Sequence, residues 1–139
     1  MNLSNYAENL IATWLAGGAA PSVLSTVYLD VHNGEPDETN TNATSVYQLL
    51  TGISNSRKAI TPTNTTFSAA LNSDTVTNIL EIVLTASAVS ACTITHFSVW
   101  TAASGGNQLY RGAITGSPIS VLAGNNVRFA PGSIQIVVA

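Results

Sequence analysis

Residues 93–115, TITHFSVWTAASGGNQLYRGAIT, constrain this chain's fold more than any other stretch. They read as two β-strands joined at Ser104-Gly105-Gly106-Asn107. Phe97 and Val99 alternate with polar or amphipathic neighbours before the turn, and Leu109, Tyr110 and Ile114 follow it. Glycine adopts the positive φ angles a tight hairpin needs, while β-branched and aromatic side chains suit a pleated sheet. Such a hairpin sets two long strands side by side, and the remaining strands must pack around it. By itself it offers no chemistry.

Further strands are legible on both sides. Residues 26–32 alternate, with Val27, Leu29 and Val31 on one face and Tyr28, Asp30 and His32 on the other, which predicts a half-buried strand. Residues 46–50 and 57–61 read as short strands around Gly52, with Arg57 and Lys58 on a solvated edge. Residues 62–73, rich in Thr, Asn and Ser, read as a loop holding one short strand at Phe67. Residues 76–85 are almost wholly apolar and predict one strand covered on both faces. Residues 119–122, 127–129 and 134–138 add three strands, punctuated by Gly124-Asn125 and Pro131-Gly132.

Ahead of the strands lies one helical period. Ser4 or Asn5 can cap it, with Glu8 in its first turn, and Leu3, Tyr6, Ala7, Leu10, Ile11, Trp14 and Leu15 fall on one face. Gly17-Gly18 ends it and Pro21 blocks a restart. The stripe suits docking on the chain's own sheet, or on a neighbouring subunit. The expected fold is therefore mainly β: a single antiparallel β-sandwich or jelly-roll-like domain over 1–139. An N-terminal amphipathic helix lies in 1–18, with strands and loops in 26–139.

At 139 residues the chain can bury a core without disulfide or metal support. Only 8% of its residues are charged against roughly 25% in an ordinary soluble domain, and 45% are hydrophobic. That balance predicts a polar-neutral surface partly covered in an assembly, such as a small cyclic oligomer, a trimer included. A net charge of −3 with four Lys and Arg argues against a nucleic-acid partner. No apolar run reaches the roughly 18 residues of a membrane span, and no signal peptide is recognisable. The lone Cys92 reads as an inert buried thiol.

Catalytic signatures are missing: no phosphate-cradling loop, no G-x-S-x-G, no H-E-x-x-H. His32 and His96 lie in strands and read as hydrogen-bonded structural residues. Asp30 with the acidic loop at 33–43, which carries Glu35, Asp37 and Glu38, raises a Ca²⁺ site, but the spacing does not follow the EF-hand pattern, so a solvated turn is the reading. A Ser-His-Asp triad has no favoured set of members. No enzyme activity, metal or cofactor is expected.

Several blocks carry a resemblance: LSNYAENL at 3–10, TVYLDVH at 26–32 followed by Glu35-Pro36, THFSVW at 95–100, GNQLYRGAI at 106–114, and VRFAPGSIQI at 127–136. Together they resemble a family of small tailed-bacteriophage virion structural proteins, often labelled tail fibre proteins, whose relatives include head decoration (cement) proteins. The chain departs from that pattern between Thr39 and Arg57: family members more often carry a glycine-rich segment there leading to a Tyr-Ala-Arg strand, and residues 51–57 stand in its place. The resemblance implies a virion location after synthesis in the host bacterial cytoplasm, no enzyme activity and no cofactor. The expected role is a capsid decoration protein bound to the major capsid protein and stabilising the head shell. A tail, baseplate or fibre component bound to tail proteins is the alternative. A glycan-binding module is more distant, because Trp14 and Trp100 lie in patterns that read as buried. The expected contact surfaces are the helix face of Leu3, Tyr6, Leu10 and Trp14, and the tips bearing Asn33, Glu35, Asp37, Ser104 and Asn107.

Overall fold

A computed structural model describes residues 3–22, 24–39, 44–53, 56–61, 67–69, 75–78, 80–116 and 118–137. Its first element starts where a side chain can satisfy an orphan helix N–H. The Ser4 hydroxyl accepts from the Ala7 N–H at 3.1 Å and opens α1, Asn5–Leu15. The same hydroxyl donates to the Gln108 carbonyl, and the Ser4 N–H donates to the Leu109 carbonyl at 3.1 Å. Thus the cap also ties the helix start to the hairpin.

The hairpin forms as the glycines predict. Strand β1 (Val27–His32) lies between β2 (Lys58–Ile60) and β7 (His96–Trp100), and β7 pairs with β8 (Gln108–Ala113) in one four-stranded antiparallel sheet. Tyr28 faces Trp100, Asp30 faces Ser98 and His32 faces His96 across the first pair; Phe97 faces Gly112 and Val99 faces Tyr110 across the second. A register shift after Val99 pairs Trp100 with Gln108. Gly112 is there because of close approach: a Cβ would sit 3.2 Å from the Tyr110 ring and 3.3 Å from the Phe97 ring.

One face of this sheet carries Val27, Leu29, Val31, Ile60, Phe97, Val99 and Tyr110 into the core. Smaller antiparallel units supply the rest. Strand β5 (Ile82–Thr85) pairs with β10 (Val127–Phe129), and β6 (Cys92–Ile94) with β9 (Ile119–Val121). Strand β4 (Thr75–Asn78) lies between β3 (Phe67–Ala69) and β11 (Gln135–Val137). Ile94, Phe129 and Ile134 are fully buried among them. Each such side chain contributes about 1.5–3 kcal/mol by leaving water. The chain is mainly β, with antiparallel sheets and the N-terminal helix the sequence predicts, an arrangement compatible with a sandwich.

Four expectations need correction. Residues 46–50 are not a strand: Tyr47–Thr51 is a helix, α2, which buries Tyr47 and Leu50 and stops at Gly52 with φ 76°. Val46, Tyr47 and Leu50, all buried, fall at i, i+1 and i+4, a helical spacing hidden in a short apolar run. The apolar run at 76–85 is two strands in separate sheets, because the chain turns at the buried Asn78. Its Nδ2 donates to the carbonyls of Leu80 at 2.8 Å and Ala130 at 3.0 Å, and its Oδ1 accepts the Ile134 N–H at 3.0 Å. Nor is the second half covered on both faces: Ile82 and Leu84 are buried while Leu80 and Val83 are exposed. The polar face of β1 is not solvated, since Asp30 and His32 are buried. Arg57, just ahead of the edge strand β2, is likewise buried rather than solvated.

Candidate functional site

Burying Asp30 and His32 is costly unless their charges and protons find partners, and the sheet supplies them. Asp30 Oδ1 accepts the Ser45 hydroxyl at 2.7 Å and the Val31 N–H at 2.8 Å. Its Oδ2 lies 3.8 Å from Arg57 Nε and 3.9 Å from His32 Nε2. Burial pushes the Asp30 pKa up, while those hydrogen bonds and the Arg57 charge pull it down. His32 Nε2 lies 2.7 Å from the Ser98 hydroxyl, which also accepts from the Trp100 indole N–H at 2.7 Å. Trp can only donate, so satisfying every proton requires Ser98 O–H to donate to His32 Nε2, leaving Nδ1–H for Thr44 Oγ1 at 3.0 Å. Burial, then the charges of His96 and Arg57, lower the His32 pKa to about 4, and its ring is neutral at pH 7.

Ser98, His32 and Asp30 therefore meet, but not as a triad. A triad carboxylate orients the ring through the nitrogen opposite the serine, whereas here Asp30 and Ser98 approach the same Nε2. Ser98 is also fully buried. The cluster works as a support. Arg57 lies 4.0 Å from the centre of the Trp100 ring and donates to the carbonyls of Ala102 and Gly105, each at 2.8 Å. It holds the hairpin loop from behind, and Gly105 and Gly106 complete that loop with φ of 63° and 72°. Ser104 and Asn107 are exposed on the tip, where the Asn107 N–H donates to Thr101 Oγ1 at 3.0 Å.

The acidic loop is strapped to the same hairpin. Gln108 Nε2 donates to the Asp37 carbonyl at 2.7 Å, and the Glu38 carboxylate accepts from the Asn5 N–H at 3.1 Å and from Arg111 at 3.3 Å. A carboxylate suits the start of a helix. The side chains of Asn33, Glu35 and Asp37 are exposed. The Thr39 hydroxyl and N–H donate to the Asp37 carboxylate, which holds its pKa below the usual carboxylate range. Among the described residues no group of three or more His, Cys, Asp or Glu could hold a metal ion. Cys92 is only partly buried, and burial raises its thiol pKa.

The helix face splits in two. Leu3 is half-buried and bridges to Tyr110, Ala7 is buried, and Leu10 is half-buried. Tyr6, Trp14 and Leu15 are 39%, 52% and 74% exposed. The reading of Trp14 as buried is therefore corrected: the helix docks by its first two turns, and its last turn is exposed. This also removes the argument that set a glycan-binding role aside, since an exposed tryptophan is present. Beside the helix runs an apolar groove of about 280 Å³, lined by Tyr6, Leu10, Ile11, Pro21, Leu24 and Leu109 among others. Residues 9–29 contain no Asp, Glu, Lys or Arg, and all of 12–22 are exposed. Of the helix residues singled out in the sequence, Tyr6 and Leu10 line this groove and Leu3 does not; Leu24 and Leu109, which also line it, were not singled out as contact residues. The charge-free run was the available signal for Leu24.

These features are an exposed neutral face, a braced hairpin tip and a buried polar support. No described helix is long and apolar enough to cross a membrane. A search of curated proteins finds no match to the chain. The family described as "Podophage GP4 fiber I protein gp80" matches residues 2–137, nearly the whole sequence, so this chain belongs to that family of phage structural, fibre-type proteins.

Proposed function

We propose that the chain is a structural subunit of a phage appendage of fibre type, self-associated as a small cyclic oligomer and joined to the particle by the outer half of α1 and the groove beside it. The carrying observation is the uncharged, exposed surface at residues 12–22, with Trp14 and Leu15 at its centre. An exposed apolar patch of this kind marks an interaction surface. The description of the family supports the fibre assignment. Nothing in this role requires catalysis, and the buried Ser98, His32 and Asp30 act as braces for the tip.

Decoration of the head shell is the second reading. It is favoured by the charge-poor surface, which suits many weak, uncharged contacts repeated over a lattice. Labelling intact particles with antibody against the chain separates the two. Label confined to the tail supports the fibre reading, label spread over the head supports decoration, and an unlabelled particle that also lacks the chain by mass spectrometry overturns both. The α1 face has its own test. Trp14→Asp should leave the far-UV spectrum and the light-scattering mass unchanged but lower the chain's incorporation into particles; incorporation equal to wild type places the attachment surface elsewhere.

A further inference from the structure

The buried cluster is arranged for more than support. Arg57 Nε and His32 Nε2 approach the same oxygen, Asp30 Oδ2, at 3.8 and 3.9 Å. One of these bases is charged at neutral pH and the other is not. Arg57 simultaneously holds the hairpin loop through the Ala102 and Gly105 carbonyls. We propose that His32 is an acid-operated latch: when it takes a proton it competes with Arg57 for Asp30 and loosens the tip at residues 101–107.

The proton balance is explicit. Neutral His32 accepts the Ser98 hydroxyl proton at Nε2 and donates from Nδ1 to Thr44. Protonation puts a hydrogen on Nε2, so Ser98 Oγ then faces two N–H donors, His32 and Trp100, and must turn its own proton elsewhere. The new cation lies in a buried site already holding Arg57; one carboxylate cannot neutralise both, and burial raises the Asp30 pKa, so acid weakens even that carboxylate. Arg57 stacks on Trp100, so strain at Ser98 reaches it through that ring as well. The titratable groups acting on His32 are Asp30 on its own strand, His96 on β7, Arg57 ahead of β2 and Asp37 in the acidic loop. Of these, His96 and Arg57 oppose protonation, and Asp37 favours it. Burial opposes it most, and so places the transition in acid, near pH 4. The proposal goes beyond the fibre reading and does not depend on it.

The test follows His32 and the tip together. NMR of the whole chain from pH 7 to 3.5 reads the His32 ring proton alongside the Gly105 and Gly106 amides, and hydrogen exchange reads the amides of Thr101 and Asn107. The latch predicts that the tip amides shift with the midpoint of His32. Exchange at Thr101 and Asn107, corrected for intrinsic pH dependence, should rise at least about tenfold while β1 and β7 stay protected. His32→Gln keeps an acceptor near Ser98 but cannot take up the proton, and should hold the tip unchanged across the range. Three results overturn the proposal: His32 titrates and the tip does not follow, the tip responds identically in His32→Gln, or tip and core open together. Should His32→Gln fail to fold, the first and third results on the unmodified chain still decide.

Discussion

Asn78 gives the sharpest test of how this fold is held. Its side chain makes three hydrogen bonds, to the Leu80 and Ala130 carbonyls and from the Ile134 N–H, and it is 1% exposed. At a net ~1 kcal/mol per bond, Asn78→Ala should lose about 3 kcal/mol, more if the orphaned groups stay dry. Asn78→Asp is the more telling change. It keeps the shape and can still accept from Ile134, but its second oxygen faces two carbonyls that need a donor. An uncompensated buried charge costs about 3–5 kcal/mol, a large part of the roughly 5–15 kcal/mol that stabilises a typical domain. Burial must also raise that carboxyl's folded pKa above the unfolded ~3.9. The folded variant then binds more protons than its unfolded chain, so the deficit against wild type should narrow as pH falls. Urea denaturation followed by tryptophan fluorescence, wild type and variant side by side at pH 7 and pH 5, measures it. A variant as stable as wild type at pH 7, or a deficit that does not narrow at pH 5, refutes the hydrogen-bonding role assigned to Asn78.

Other expectations follow from single residues. Phe97→Ala empties a fully buried site against Tyr110 and should cost about 3–5 kcal/mol in the same urea assay. Gly105→Ala and Gly106→Ala both force a left-handed residue, costing about 1–2 kcal/mol each. Gly106→Ala should cost visibly more, since its Cβ would lie 2.8 Å from Ala102 Cβ while Gly105 faces open space. Because His32 has a folded pKa of about 4 against 6.5 unfolded, the unfolded chain alone takes a proton between those values. Stability should therefore fall by about 3 kcal/mol as pH drops through that window. Asp30 partly offsets the loss, because its folded pKa is raised above the ordinary 3.8 and its folded form takes up a proton first. Denaturation midpoints at pH 7, 5.5 and 4 check this, and His32→Gln should flatten the series.

Strong local signals were legible in the sequence, and long-range partners were not. The glycine pair at 105–106, the alternation of Phe97 and Val99, and the cap at Ser4 each act through neighbours in the chain, and each appears in the fold. Residues 46–50 misread because an apolar run of that length is equally good as a strand or a helical turn, and burial against the core decides. The break at Asn78 had a local sign, an amide in an apolar run, but its cause lies more than fifty residues away at Ala130 and Ile134. His32 is the hydrogen-bonded structural residue the sequence suggested, but the burial of Asp30, His32 and Arg57 went unread for a common reason. Polar residues on alternate strand positions signal solvent only where no other polar group covers them, and here Ser98, Ser45 and Arg57 do. Trp14 misread in the opposite direction, because a helical stripe reports an apolar face without reporting how much sheet lies beneath it.

The number of copies per particle tests the fibre account most directly. Quantitative mass spectrometry of purified particles, with isotope-labelled peptides from this chain and from the major capsid protein, gives that ratio. The account predicts that the chain is present in a small fixed number, far below the capsid subunit and a multiple of its oligomeric state in solution. A ratio near one to one with the capsid subunit, or its absence from the particle, contradicts it.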